Sequence, residues 1–217
     1  MSTCTEDRFL HDVANHEMEV LRDKGLYRHI RFKRPDSGCM YFDLITWPGS
    51  LCYTGDMGTY VFRRVEDMFE FFRTDQRDWN YNKSGGLSIN PSYWSEKLIA
   101  VDGNRQKGSA TEFDADRFRA VINEYRVQWI RDCRDRGTHK NDRRALWDQV
   151  QTDVLDYLDE DPQSAMTAAY RFSEIVGNLN FQFHDIWDHN FERFTFHFIW
   201  CCYALAWGVK KYDEARK

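Results

Sequence analysis

The sequence predicts an α+β fold, an N-terminal helix and small antiparallel meander sheet packed with a C-terminal helical bundle, on three observations. Residues 27–64 alternate aromatic or β-branched with polar side chains in short runs, and turn residues part the runs. Residues 114–136 place Phe118, Val121, Ile122, Tyr125, Trp129 and Cys133 on one helical stripe. Residues 194–209 are strongly apolar. His197 interrupts them and Lys210 and Lys211 close them before the ~18 apolar residues of a membrane-spanning helix accumulate, so they read as a buried helix.

In chain order, residues 5–24 read as one amphipathic helix, with Phe9, Val13, Val20 and Leu21 at roughly helical spacing, Thr5 as N-cap and Gly25 as the stop. His11 and His16 fall on its polar side as surface residues. Runs at 27–33, 40–47, 50–53 and 59–63 follow as a three- or four-stranded sheet. Between them, Pro35-Asp36-Ser37-Gly38, Pro48-Gly49 and Gly55-Asp56-Met57-Gly58 supply the fixed or positive φ angles that turns require. In the first strand Arg28, Ile30 and Phe32 face one side and Tyr27, His29, Arg31 and Lys33 the other. Residues 65–73 turn helical through Met68, Phe69 and Phe72, with Glu66 and Asp67 in the first turn. A polar loop spans 75–87, and Asn90-Pro91 opens a short helix over 91–101. Residues 102–113 read as a loop or boundary between an α+β region, 1–101, and a helical region, 114–217, or as a loop within one compact domain. Helices are expected at 114–136, 142–158 and 162–176. After a strand-like 180–184, a long C-terminal helix covers 191–213.

A chain of 217 residues with 16% aromatic and 30% charged residues can bury a sizeable core and is expected to fold throughout. Its net charge of −5 gives no general attraction for phosphate backbones, so a basic partner fits better than direct nucleic-acid binding. Cys4, Cys39, Cys52, Cys133, Cys201 and Cys202 form no CxxC pair and no zinc spacing. With no leader read at the N-terminus, they are expected as reduced thiols of a cytoplasmic protein.

His184, Asp185, Asp188 and His189 form the densest set of metal-ligating types, and on a helix they would pair at i,i+4. Such a set suits zinc, manganese or iron in a metal-dependent hydrolase or nuclease, the enzymatic alternative. No second cluster accompanies it and no nucleophile motif surrounds a Ser or Cys, so no cofactor is expected. Arg131, Arg134, Arg136, Lys140, Arg143 and Arg144 make the richest basic segment. Asp132, Asp135 and Asp142 interleave with them, as on a solvated helix end, although a nucleic-acid-binding regulator would use such residues. Trp79 and Tyr81 sit in a polar loop where burial is hard to arrange, which suits a protein interface. Glu66, Asp67, Glu70, Asp156, Asp159, Glu160 and Asp161 could meet a Lys/Arg-rich surface and speed association with it.

Tyr41-Phe42-Asp43-Leu44-Ile45-Thr46-Trp47-Pro48-Gly49, Tyr53-Thr54-Gly55-Asp56-Met57-Gly58-Thr59-Tyr60-Val61-Phe62 and Asp67-Met68-Phe69-Glu70-Phe71-Phe72 resemble small proteins of bacteriophage and prophage accessory regions, and Ile89-Asn90-Pro91-Ser92-Tyr93-Trp94 extends the likeness. The resemblance covers about a fifth of the chain and carries over no functional residue. It implies an inhibitor of bacterial defence, of the anti-CRISPR kind, acting in the cytoplasm of the bacterial host. The expected function is non-enzymatic binding of a defence protein or ribonucleoprotein, blocking nucleic-acid access or effector recruitment. An unpaired sheet edge would allow a homo-oligomer, but no residue pattern requires one.

Overall fold

A computed structural model describes residues 4–73, 86–102 and 109–217. The protein is α+β and divides into two compact units, Met1–Glu112 with Phe194–Lys217, and Phe113–Arg193. The chain leaves the first unit within the 102–113 segment. Its last helix returns to that unit, whereas the sequence reading grouped it with the other C-terminal helices.

Helix α1 (Glu6–Asp12) begins where the Thr5 side chain accepts the Arg8 amide. It ends early, and Glu17–Lys24 is strand β1, which corrects the single helix expected over 5–24. Val20 and Leu21 had completed the apolar helical stripe. Both are instead exposed on β1, beside a bulge between Val20 and Arg22 that breaks the alternation identifying a strand. β2 (Tyr27–Lys33), β3 (Phe42–Trp47), β4 (Ser50–Gly55) and β5 (Gly58–Arg63) continue the meander. After α2 (Met68–Phe72) and α3 (Pro91–Ser95), β6 (Leu98–Val101) closes it. The sheet therefore has six antiparallel strands in sequence order, and the helix expected over 91–101 stops at Ser95. Leu98–Val101 is too short to show a period of its own and becomes a strand by pairing with β5.

One face of this sheet carries Ile30, Phe32, Phe42, Leu44, Tyr53, Tyr60 and Phe62, all fully buried. Helix α7 (Phe196–Glu214) covers that face. It starts later than the expected 191 because Glu192–Phe194 is extended and Thr195 caps the helix. Trp200 meets Phe9 edge-on at 4.9 Å and Phe42 at 5.6 Å, and Trp207 meets Phe32 at 5.3 Å. At Gly208 the helix comes so close that an added Cβ would lie 2.9 Å from Leu44 Cδ1 and 3.1 Å from Phe32 Cε2.

Polar contacts fix the ends of this stack. Arg28, almost fully buried, donates both terminal nitrogens to Asp67 at 2.7 and 2.9 Å and lies 4.8 Å over the Phe69 ring. Asp67 also caps α2 by accepting the Phe69 amide. The Tyr212 hydroxyl donates to Asp23, and Arg73 forms a two-bond pair with Asp213. His16 is not on a helix face: it lies after the turn that follows α1, with Nε2 2.9 Å from the Met40 carbonyl and a buried Nδ1 that has no hydrogen-bond partner among the described residues.

The second unit contains α4 (Ala115–Asp135), α5 (Lys140–Val150) and α6 (Pro162–Arg171). The helix expected to 158 changes to π spacing over Gln151–Leu155 and to a 3₁₀ turn over Asp156–Asp159. Arg126 meets the helix at that change. Buried on α4, it lies 3.8 Å over the Trp147 ring and donates to the Trp147 carbonyl at 2.7 Å and to Gln151 Oε1 at 3.2 Å, engaging the helix where it turns irregular. Glu174–Val176 (β8) leaves the helix expected over 162–176 and pairs with Leu179–Phe181 (β9), Val176, Leu179 and Phe181 packing into the core that also holds Trp129, Phe172 and Phe183. Thr111–Phe113 (β7) and Glu192–Phe194 (β10) form a separate two-stranded sheet.

Three outcomes test this construction. Gly208→Val is expected to lower unfolding free energy by about 1–3 kcal/mol, the usual cost of overpacking, read from urea denaturation; unchanged stability would show that α7 does not approach the sheet so closely. Asp67→Ala leaves a guanidinium buried without its carboxylate, and a loss of about 3–5 kcal/mol is expected in the same assay. Burial lowers the His16 pKa below its ordinary 6.5, a shift that the Met40 hydrogen bond only partly opposes. The unfolded chain therefore binds a proton first as pH falls through 6.5, so His16 makes the fold less stable in acid and has no such effect above that pH. Comparing His16→Gln with the parent at pH 8 and pH 5 should show a smaller acid loss in the variant; identical losses would refute the assignment.

Candidate interaction surface

The residues singled out by sequence scatter. Glu66 and Glu70 are exposed, but Asp67 between them is consumed by Arg28 and the α2 cap. Trp79 and Tyr81 lie outside the described residues. Asp156, Asp159, Glu160 and Asp161 fall together in one exposed stretch of the second unit. There Asp161 caps α6, and the Ser164 amide and hydroxyl hold its carboxyl below the usual range. Asp156 accepts from Gln151 Nε2 at 2.7 Å.

His184, Asp185, Asp188 and His189 do not share the helical face expected of them. Asp185 takes a left-handed φ of 58°, followed by a short 3₁₀ turn over Ile186–Asp188, which destroys the i,i+4 geometry. The Tyr125 hydroxyl donates to the His184 carbonyl, and the His189 ring stacks on Phe191 at 5.8 Å. Among the described residues, no group of three His, Cys, Asp or Glu side chains is placed to hold a metal. In the basic segment, Arg143 donates to the Thr138 carbonyl and Arg144 pairs with Asp148 at 2.8 Å.

A polar cluster that sequence reading missed lies on the first unit's sheet. Asp43 is buried and accepts from Arg31 at 2.9 Å, with His29 Nε2 at 2.7 Å. Burial opposes its charge, but the bonds from Arg31 and His29 prevail and keep the carboxyl below its usual range. The alternation of β2 places His29 and Arg31 on one face; only the β2–β3 register adds Asp43. Ile45 stands between His29 and Cys52 in that register, so the thiol has no imidazole beside it. Burial raises the Cys52 pKa, drives that of Cys4 to about 12, and raises those of Cys201 and Cys202 well above the ordinary value, the reverse of nucleophile activation.

The second unit carries the chain's net charge and, among the described residues, several exposed aromatic side chains. It holds 16 Asp and Glu against 11 Lys and Arg, so the chain's net −5 resides there. Within residues 145–192 the imbalance is ten acidic residues to Arg171 alone. In the same stretch Tyr157, Tyr170, Ile175 and Trp187 are 41%, 65%, 68% and 54% exposed, and the Tyr170 and Trp187 rings lie 5.8 Å apart. A groove of about 490 Å³ is lined by Asp153, Tyr157, Arg171 and Glu174. A second groove of about 350 Å³ shares Glu174 and adds Asp142, Leu146 and Ile175. The exposed rings supply apolar area and π faces, and the carboxylates supply field, a combination suited to Lys and Arg side chains.

Comparison with known proteins finds no matching family model, no similar curated protein and no similar solved structure.

Proposed function

We propose that this chain is a non-enzymatic, phage-encoded inhibitor that acts in the bacterial cytoplasm by binding a defence protein or ribonucleoprotein at a Lys/Arg-rich surface. Occupying such a surface blocks nucleic-acid access or effector recruitment. The observation that supports this reading is the coincidence, within residues 145–192, of ten carboxylates against one basic residue with four exposed large apolar side chains, among them the Tyr170–Trp187 pair. Negative potential steers a basic partner, and exposed aromatic rings provide the desolvated anchors that hold it. Origin and target class rest on the resemblance of the meander to phage accessory proteins.

Affinity capture from a nuclease-treated bacterial lysate with the tagged chain tests the proposal. One stoichiometric, nuclease-resistant protein or ribonucleoprotein is expected. Tyr170→Ser with Trp187→Ser should reduce its recovery about tenfold, with little change in stability because both rings are largely exposed. Recovery of nothing, or equal recovery by the double variant, would overturn the reading.

A further inference from the structure

Among the described residues, no further strand pairs with the outer edge of the β8–β9 hairpin, which lies in a region already rich in carboxylates. Val176 and Leu179 flank a two-residue turn, Gly177-Asn178, and Gly177 has the positive φ of 64° that the first position of a type II′ turn requires. In such a hairpin the residues next to the turn exchange hydrogen bonds, and alternation makes Ile175 and Asn180 the non-bonded pair. The Ile175 N–H and C=O consequently point away from β9. Both grooves border this strand: one is lined by Ser173 and Glu174, the other by Glu174 through Gly177, and the Ile175 side chain is 68% exposed.

We infer that the outer edge of β8 receives an extended, Lys/Arg-bearing segment of the partner, which adds a strand through the Ile175 amide and carbonyl. This deepens the reading above and rests on it. Charge complementarity selects the occupant, because Asp142, Asp153 and Glu174 face the two grooves and Arg171 alone opposes them. The same charges disfavour a second copy, since pairing two β8 edges would bring two acidic grooves together. A strand alternates its side chains, so a segment with basic residues at every second position sets them on one face, toward the carboxylates, and apolar residues on the other.

The test uses the full chain and a fluorescein-labelled peptide of alternating Arg and Val. Saturable binding is expected, with slowed exchange of the Ile175 amide and a loss of affinity of about tenfold when the peptide amides facing β8 are N-methylated, the equivalent of about 1.4 kcal/mol. Asp153→Asn with Glu174→Gln should weaken binding by a similar factor while leaving the hairpin intact. Equal affinity for the methylated peptide, an unprotected Ile175, or protection arising from self-association without peptide would each overturn the inference. Lysate capture separates the two readings. Peptide binding without any captured partner supports this edge while the inhibitor reading falls; capture unchanged by the groove double variant overturns the edge while that reading stands.

Discussion

Phe32, Phe42, Leu44, Tyr53, Tyr60 and Phe62 cover one face of the meander, and none of α1, α2 and α3 exceeds seven residues. Burying that much aromatic area needs a long, apolar helix, which the chain supplies at its end as α7. Its buried residues include Trp200, Cys201, Cys202, Ala204, Leu205, Ala206 and Val209, which together occupy more than one side of the helix. Sheet and helix each present surface that water disfavours, and each hides the other's. Much of the first unit follows from that pairing. Gly208 permits the close approach, α1 is drawn in through Phe9 and the Asp12–Trp200 hydrogen bond, and Arg28–Asp67 closes the end where α2 begins.

The return of α7 places residues 113–193 between two parts of the first unit in sequence. That insert has its own core around Trp129, Phe172, Phe181 and Phe183, and its own polar organiser in Arg126. Among the described residues, Arg126 has no carboxylate as a hydrogen-bond partner, and burial lowers its pKa. Its charge is supported by the Trp147 ring and carbonyl and by side-chain oxygens of Asn123 and Gln151. The two units therefore differ in charge as well as topology, one balanced around an aromatic stack, the other acidic.

Sequence reading located the acidic stretch 156–161, because side-chain charge is legible without coordinates. It could not separate free carboxylates from engaged ones. Asp67 reads as equivalent to Glu66 and Glu70 in the sequence, but Arg28, distant in sequence, lies against it. Tyr170 and Ile175 were hidden for the opposite reason: both lay within an expected helix, where an apolar side chain is assumed to face a core. The four His and Asp residues at 184–189 illustrate the same limit, since a ligand set inferred from helical spacing disappears when one residue adopts a left-handed φ.

Local information, by itself, determined the α+β class, the β2–β5 meander with its turns, the amphipathic α4 and the burial of the C-terminal helix, because alternation, turn residues and helical stripes are short-range properties of the chain. Tertiary structure decided that β1 and β6 are strands, that α7 belongs to the sheet, and that the Ile175 edge is unpaired. Each of these depends on a partner far away in sequence or on which neighbour fails to cover a surface, and neither is encoded in the period of a short segment.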